Sequence, residues 1–586
     1  MTTALERLHN RIDLANVPFT DRGTRLLLFL RDNEISIRLA ERWAKWERQV
    51  GHYRQRPPIV ERLVILNEDD QPVTLTPDTY PHAAGLTCPL GRFEWIYVDA
   101  ETLLLRLPEG RSTLRCVIHA EKGQTDRRGA RLHGKRNIAY TTDARIEANL
   151  LTQISDDMFE MKLTVRAGAG QSLLLNITPR LAFNRAIPNG EVTYEQARQR
   201  WQAWFDAAPP VLDEYRDQYE YAWWVMRVGL LSTRYFFTRE ACVPSKIHYV
   251  GVWHWDQFFH ALAYRHVDTR LAEDQIRIVL DHQREDGMLP DAIHDEGLVT
   301  RLSVPVEEDV TKPPLAAWTA LKLYEKSGDL DFLQEVYEPL VRWHNWWLNH
   351  SRNNTGLCEY RHPFSSGLDD SPLWDEGMPV VSPDLNTYLC LAAESLSKIA
   401  EIIGLPDEAE SWRQEADATA QRMVTVLWDE LAGCFQALHL GQKAVNVMTP
   451  FHLLPLWTGR LNKAMTRRLL AHLQNPETFW SEWPIPTVAL NDPKFDPKQM
   501  WRGPTWVNIN YLFIEALARI GREDLAAELR RKTLKLIQQH PDIYEYYDPV
   551  TADHPPKAAP VFGWTSAVYI DLAIQETEAR ARQNGA

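Results

Sequence analysis

Residues 365–377 read Ser-Ser-Gly-Leu-Asp-Asp-Ser-Pro-Leu-Trp-Asp-Glu-Gly and hold four carboxylates, Asp369, Asp370, Asp375 and Glu376, around Trp374. A carboxyl beside an indole loses solvation, and its pKa rises toward that of a working general acid. Such an acid needs a second carboxylate. Glu545 stands in Tyr544-Glu545-Tyr546-Tyr547-Asp548-Pro549, a segment otherwise too polar for core, and Asp256 ends Trp253-His254-Trp255-Asp256. Arg502, within Trp501-Arg502-Gly503-Pro504-Thr505-Trp506, adds a cation able to hold a hydroxyl or a carboxylate. Two carboxylates across a sugar-sized pocket are the minimum for glycoside hydrolysis: one protonates the leaving oxygen, the other activates water or attacks carbon.

No GxSxG elbow, P-loop or HExxH pattern competes with this chemistry. His248, His254 and Asp256 have no standard metal-ligand spacing and read as hydrogen-bonding or structural groups, so no metal and no cofactor is expected. Taken singly, Asp369 could close an Asx turn at Gly367 and Glu545 could pair with an arginine.

The elements that must position these residues divide the chain in two. Up to about residue 205 there are short apolar or alternating runs, including Arg25–Arg31, Ile35–Leu39, Val60–Leu66, Trp95–Val98, Thr102–Leu107, Thr113–His119, Arg145–Leu151, Met161–Val165 and Leu173–Ile177. Turn residues separate them, which predicts an antiparallel β-sandwich. Asp126–Arg131, rich in arginine, reads as a solvated loop. A helical pattern over Glu195–Phe205 then serves as a linker. From 206 to 586 the periodicity predicts twelve helices, from 214–236 to 561–577, with the eighth over 450–459. Six helical hairpins are the count of an (α/α)6 barrel. Every second connection is long and rich in Trp, Asp, Glu, Gly and Pro: Tyr249–Gln257, Asp286–Pro314, Pro363–Pro383, Phe479–Pro504 and Tyr544–Gly563. In an alternating ring these loops converge at one end, and long loops in compact domains carry function. Multidomain α and β is therefore the expected class, with the sandwich over 1–205 and the barrel over 206–586.

Composition narrows the partners. A net charge of −14 disfavours a nucleic-acid backbone or an anionic membrane. Six scattered cysteines read as free thiols, and the N-terminal residues lack the apolar core of a signal peptide. A cytoplasmic protein is the expectation, which makes the sequons at Asn176, Asn349 and Asn353 chance matches. The 22 tryptophans, several beside carboxylates, suit a carbohydrate partner because indole faces stack on sugar rings. Oligomeric state is not legible.

Seven segments stand in the order found in glycoside hydrolase family 63: Gly251–Asp256, Gln283–Pro290, Lys312–Leu315, Ser366–Asp375, Trp501–Asn510, Glu545–Thr551 and Phe562–Ser566. Over roughly 215–580 the chain resembles that family, which includes processing and bacterial α-glucosidases and the mannosylglycerate and glucosylglycerate hydrolases. The resemblance implies an inverting mechanism. It also implies Asp369, after Ser366-Gly367-Leu368, as general acid in preference to Asp370, and Glu545 as general base. The chain departs from many relatives at Ser365, where they carry Glu, and at Tyr546, often Asn. The expected sugar-binding wall is Trp255, Asp256, Trp374, Arg502, Trp506 and Trp564, joined by Gln283 and Asp286. The expected activity is exo-acting, inverting hydrolysis of an α-glucoside or related α-glycoside. The alternatives are a mannosylglycerate or glucosylglycerate hydrolase, a glycoside phosphorylase, and a non-catalytic glycan-binding protein. Lys312 and Arg301 are candidate cations for a charged aglycone.

Overall fold

The computed structural model describes residues 2–42 and 57–585. The chain forms two compact units. One comprises 1–208 with 227–232 and 246–250, and the other 209–226, 233–245 and 251–586.

The first unit holds two antiparallel sheets. One has six strands in the spatial order Leu26–Arg31, Glu34–Leu39, Val60–Leu66, Gly110–His119, Met158–Ala167, Arg145–Ser155. The other has eight: Thr76–Tyr80, Ala83–Cys88, Gly91–Asp99, Thr102–Arg106, Ser172–Thr178, Asn137–Thr142, Gly129–His133, Lys122–Asp126. The Tyr97 hydroxyl joins the sheets by donating to the Leu26 carbonyl at 2.8 Å, and Tyr140 donates to Asn149 at 2.7 Å. The nine runs expected from alternation are all strands. Five further strands carry weaker signals, among them Thr76–Tyr80, which tolerates Pro77 because it lies at a sheet edge. Asp126–Arg131, expected as a solvated loop, has its arginines exposed. It is a hairpin turn in which Asp126 pairs with Gly129, and Arg185 grips the Asp126 carboxylate at 2.5 and 3.0 Å. Asn176 is buried and donates to Thr102, so that sequon is no glycan acceptor. Two segments of later sequence join this unit through Asp21: Arg227 pairs with its carboxylate at 3.1 Å, and Lys246 donates to its carbonyl at 2.9 Å.

In the second unit six inner segments close a ring. His254–Tyr264 packs beside Ala316–Ser327, then follow Pro383–Ile402, Leu454–Thr458, Val507–Arg519 and Gly563–Gly585, which returns to His254–Tyr264. Every residue of the inner helix His254–Tyr264 is buried. Thr269–Leu280, Leu330–His350, Pro406–Leu427 and Glu523–Ile537 pack outside the inner segments and are one-sided. Prolines 450 and 455 account for a difference from the expected twelve helices. The segment expected at 450–459 is two 3₁₀ turns, Pro450–His452 and Leu454–Thr458, because proline cannot sit inside an α-helix without losing a hydrogen bond. The helix expected over 214–236 stops at Gly229. Among the described residues no helix is long and apolar enough to cross a membrane.

Each long loop delivers the chain into an inner segment, so these loops gather at the N-terminal ends of the inner helices. Of the outer helices, Thr269–Leu280 and Leu330–His350 are capped by Asp268 and Asp329, whereas Pro406–Leu427 and Glu523–Ile537 have no side-chain cap. Trp253, Leu315, Ser382 and Trp506 start inner helices with no side-chain cap. The positive ends of those helix dipoles therefore face the carboxylate-bearing loops.

Candidate active site

Asp369 sits between a 3₁₀ turn, Pro363–Ser366, and a second, Pro372–Trp374. Gly367 ends the first at φ +71°, and a Cβ there would lie 2.4 Å from the Trp255 ring, so both backbone and packing demand glycine. Ser371 caps the second turn, and the Trp374 indole N–H donates to the Leu368 carbonyl at 2.7 Å. The loop thus folds on itself around Asp369. The Asp369 side chain keeps 32% of its surface exposed, yet its Oδ1 is buried with no hydrogen-bond partner, 3.8 Å from Lys312 Nζ. Burial raises this carboxyl to about 6, against the pull of Lys312 and with help from the negative charge of Asp291 and Asp370.

Lys312 is buried, and its ammonium donates to the Phe364 carbonyl at 2.6 Å and pairs with Asp291 at 2.7 Å. Asp256, on the first turn of its inner helix, is buried beside the same lysine. Burial pushes its carboxyl well above the usual range, Lys312 opposes that, and Asp291 and Asp369 add to it. Three carboxylates thus share one ammonium. Sequence reasoning missed Asp291 and took Lys312 for a ligand contact. The available signal was their placement beside prolines, Pro290-Asp291 and Lys312-Pro313-Pro314, which fix the backbone where the charges must meet.

Glu545 is buried, and its Oε2 accepts from the Ala559 amide at 3.2 Å. Its backbone is held by Ala559 and by the Thr565 hydroxyl, at the start of the Gly563–Gly585 helix. The two carboxylate loops connect through the 501–505 segment. Trp501 N donates to Asp370 at 2.8 Å, and Thr505 exchanges backbone hydrogen bonds with Tyr547 at 2.8 and 3.0 Å.

Aromatic rings fill the space around that connection. Trp501 and Trp506 stack at 3.7 Å, and Tyr546 stacks on Trp506 at 4.7 Å. Trp564 meets both Trp255 and Trp506 edge-on at 5.3 Å. Trp255, Trp506 and Trp564 are brought together as expected, but as a buried block whose rings cover one another. Tyr544 and Tyr547 turn away from Glu545's segment to stack on His554 and His540.

Other expected wall residues have their polar atoms engaged by the protein. Arg502 forms a bidentate pair with Asp375 at 2.8 and 2.9 Å and donates to the Asp370 carbonyl. Gln283 spans Gly287, Pro339 and Arg342, pinning its loop to the Leu330–His350 helix. Asp286 pairs with Arg284, whose hydrogen bond against the pull of burial lowers its carboxyl to about 2, and it also accepts from the Trp346 indole; Arg284 also bonds Asp309. Arg301 pairs with Glu307 and Asp309. His254 donates from Nδ1 to the Pro290 carbonyl at 2.7 Å, a structural bond. Among the described residues no group of three His, Cys, Asp or Glu side chains could hold a metal ion.

A helical ring with a half-buried acidic residue in one long loop and a buried one in another, connected through an aromatic block, has the equipment of a glycoside hydrolase. Residues 249–565 match the mannosylglycerate hydrolase MGH1-like glycoside hydrolase domain, and the chain belongs to that family, within glycoside hydrolase family 63. A mannosylglycerate hydrolase of Thermus thermophilus is 27% identical over 406 residues, covering 56% of this chain and 95% of that protein. The solved mannosylglycerate hydrolase from another strain of Thermus thermophilus, in complex with glucose, superposes with a TM-score of 0.53 at 24% identity, over 60% of this chain and 99% of the other. A bacterial glucoamylase complexed with acarbose is similar in fold over 96% of this chain and 95% of its own, with a TM-score of 0.58 at 10% identity.

Proposed function

We propose that the chain is an inverting, exo-acting hydrolase of an α-glycosidic bond, with the sugar an α-glucoside or a close relative, carried on an (α/α)6 barrel. Asp369 is the general acid. It donates its proton to the glycosidic oxygen as the bond breaks, while Glu545 removes a proton from the water that attacks the opposite face of the sugar. The observation that carries this reading is the Asp369 carboxyl itself: raised to about 6, with a buried, unpartnered Oδ1 and an exposed remainder. A carboxyl held that way keeps its proton up to about pH 6 and can deliver it outward. Glu545, buried and fixed at its backbone on both sides, suits the base. Inversion requires about 6.5–9.5 Å between the two carboxyls, room for one water.

The neutral aglycone in this reading rests on charge. A glycerate carboxylate needs a cation, and three of those near the acid loop are matched, Lys312 by Asp291 and both Arg502 and Lys494 by Asp375, with Lys557 the further cation acting on that loop. The second reading, hydrolysis of mannosylglycerate, is favoured by the family model and by the name of the Thermus relative.

One experiment separates the readings. Purified protein is offered α-glucosides, α-mannosides, mannosylglycerate and glucosylglycerate, and NMR reads the first anomer released. Release of β-sugar from a neutral α-glycoside supports the proposal. Turnover confined to the glycerates installs the second reading, and an α-anomer rejects inversion. Sugar phosphate formed only with inorganic phosphate would identify a phosphorylase, and binding without turnover a lectin-like protein.

A further inference from the structure

The acid loop carries a charge problem that the proposed mechanism does not solve alone. Lys312, Asp291, Asp256 and Asp369 come from three separate elements and are buried together, apart from the exposed part of Asp369. One ammonium balances one carboxylate, so burial selects which carboxylate stays charged. Lys312 Nζ lies 2.7 Å from Asp291 and 3.8 Å from Asp369, and its bond to the Phe364 carbonyl anchors it between them. If the ammonium paired with Asp369 instead, that carboxyl would become a stable anion and could protonate nothing.

We propose that Asp291 is a positioning residue for the acid: by claiming the Lys312 ammonium, it keeps that charge from forming an ion pair with Asp369. The inference rests on the reading of Asp369 as general acid. Burial raises the Asp291 carboxyl on balance, against the pull of Lys312; it is the 2.7 Å contact that makes Asp291 the anion of the pair. Burial lowers Lys312, but Asp291 outweighs it with the other carboxylates and holds the ammonium above its ordinary value, so it stays charged. Asp256 and Asp369 are left to carry protons.

The other groups facing the cluster fit this assignment. His254, on the Asp256 helix, is driven down to about 3 by burial and is neutral; His362, across the acid loop, is lowered by burial as well. Asp370, next along the loop, is tied to Trp501, with Arg502 and Lys557 acting on it. Neither cation is in contact with Asp369 Oδ1.

The test is Asp291→Asn, which keeps the shape and releases Lys312. Its Asp369 pKa should fall by about 1–3 units, the effect of an adjacent cation on a carboxylate. The alkaline limb of kcat/KM then moves to lower pH by the same amount, and kcat at pH 7 falls at least tenfold on a poor leaving group while KM holds. An activated substrate such as a glycosyl fluoride, which needs no proton, loses much less. Asp291→Asn with Lys312→Gln should return the limb toward its wild-type position; a merely structural loss would be worsened by the second change. An unmoved limb in folded Asp291→Asn, or equal losses on both substrates, overturns the proposal. Isotope-edited infrared titration of Asp369, taken as wild type minus Asp369→Asn, reads the same shift without turnover, and an unmoved pKa there also overturns it. Failure of the underlying reading shows differently: Asp369→Asn would keep its activity on the poor leaving group.

Discussion

The Asp370 carboxylate accepts a hydrogen bond from the Trp501 amide at 2.8 Å, across 131 residues of chain. That bond joins the loop carrying Asp369 to the segment that leads through Thr505 and Tyr547 to Glu545. The spacing of the two proposed catalytic carboxyls is therefore set by one bond to the Asp370 side chain and a pair of backbone bonds, with an aromatic stack behind them. Proton transfer tolerates little misplacement.

Removing the acid and removing the base should fail differently. Asp369→Asn is expected to lower kcat about 10²–10⁴-fold on alkyl glycosides but far less on a glycosyl fluoride. Glu545→Gln should lose a similar factor on both, since every leaving group needs the activated water. Steady-state rates on the two substrate classes check this. Parallel losses in both variants would place the acid elsewhere.

The pH profile carries a sign. Asp369 works protonated, so kcat/KM should fall on the alkaline side with a midpoint near the value of about 6 to which burial raises it. The same shift links to stability. Its folded value lies above the ordinary 3.8, so the folded state binds the proton more tightly and stability falls as pH rises from 3.8 to about 6. Asp369→Asn should lack that decline. Urea unfolding of both proteins at pH 4 and 7 measures the difference; equal slopes would mean that Asp369 titrates normally.

Much of this was legible in the residues because the signals were periodic or local. Alternation marked nine strands, and 3.6-residue spacing marked the helices. The weak strands were obscured by Pro77 and by exposed edge positions such as Lys122–Asp126, where burial imposes no pattern. Proline misled in the other direction at 450–459, where an apolar run looked helical. The carboxylate loops stood out by composition, but composition cannot say what a side chain touches. Trp374, Arg502, Gln283 and Asp286 have the chemistry of sugar contacts, and folding engages their polar atoms with Leu368, Asp375, Gly287 and Arg284. Asp291 was missed for the converse reason: Pro290 marks a fixed backbone there, but nothing local says that Lys312 arrives beside it.

The Arg502–Asp375 pair predicts a loop effect distinct from catalysis. Both side chains are partly exposed, 27% and 34%, so the pair contributes on the order of 1 kcal/mol or less to folding. Its larger effect is on the acid loop, which it ties to Trp501. Arg502→Met should leave the melting temperature within a few degrees and lower kcat about tenfold on poor leaving groups. Arg502→Lys should recover little, since one ammonium cannot form the bidentate pair. A raised KM with unchanged kcat would instead make Arg502 a substrate contact.

Gly367 gives the sharpest structural prediction. Its φ of +71° alone would cost alanine about 1 kcal/mol. The added methyl would also lie 2.4 Å from Trp255, a ring buried against Trp501 and Trp564 and so unable to yield freely. Overpacking of this kind costs about 1–3 kcal/mol more. The strain has two outlets. If the loop moves, Asp369 leaves its position and kcat falls while stability changes little; if Trp255 moves, the aromatic block loosens and stability falls too. Thermal unfolding and kcat of Gly367→Ala, compared with Trp255→Phe and with the double variant, decide between them. Relief of the packing defect is expected in the double variant, because the smaller ring clears the methyl, while the strain from the φ of +71° remains. An alanine variant with wild-type stability and rate would show that the Trp255 contact does not position the acid.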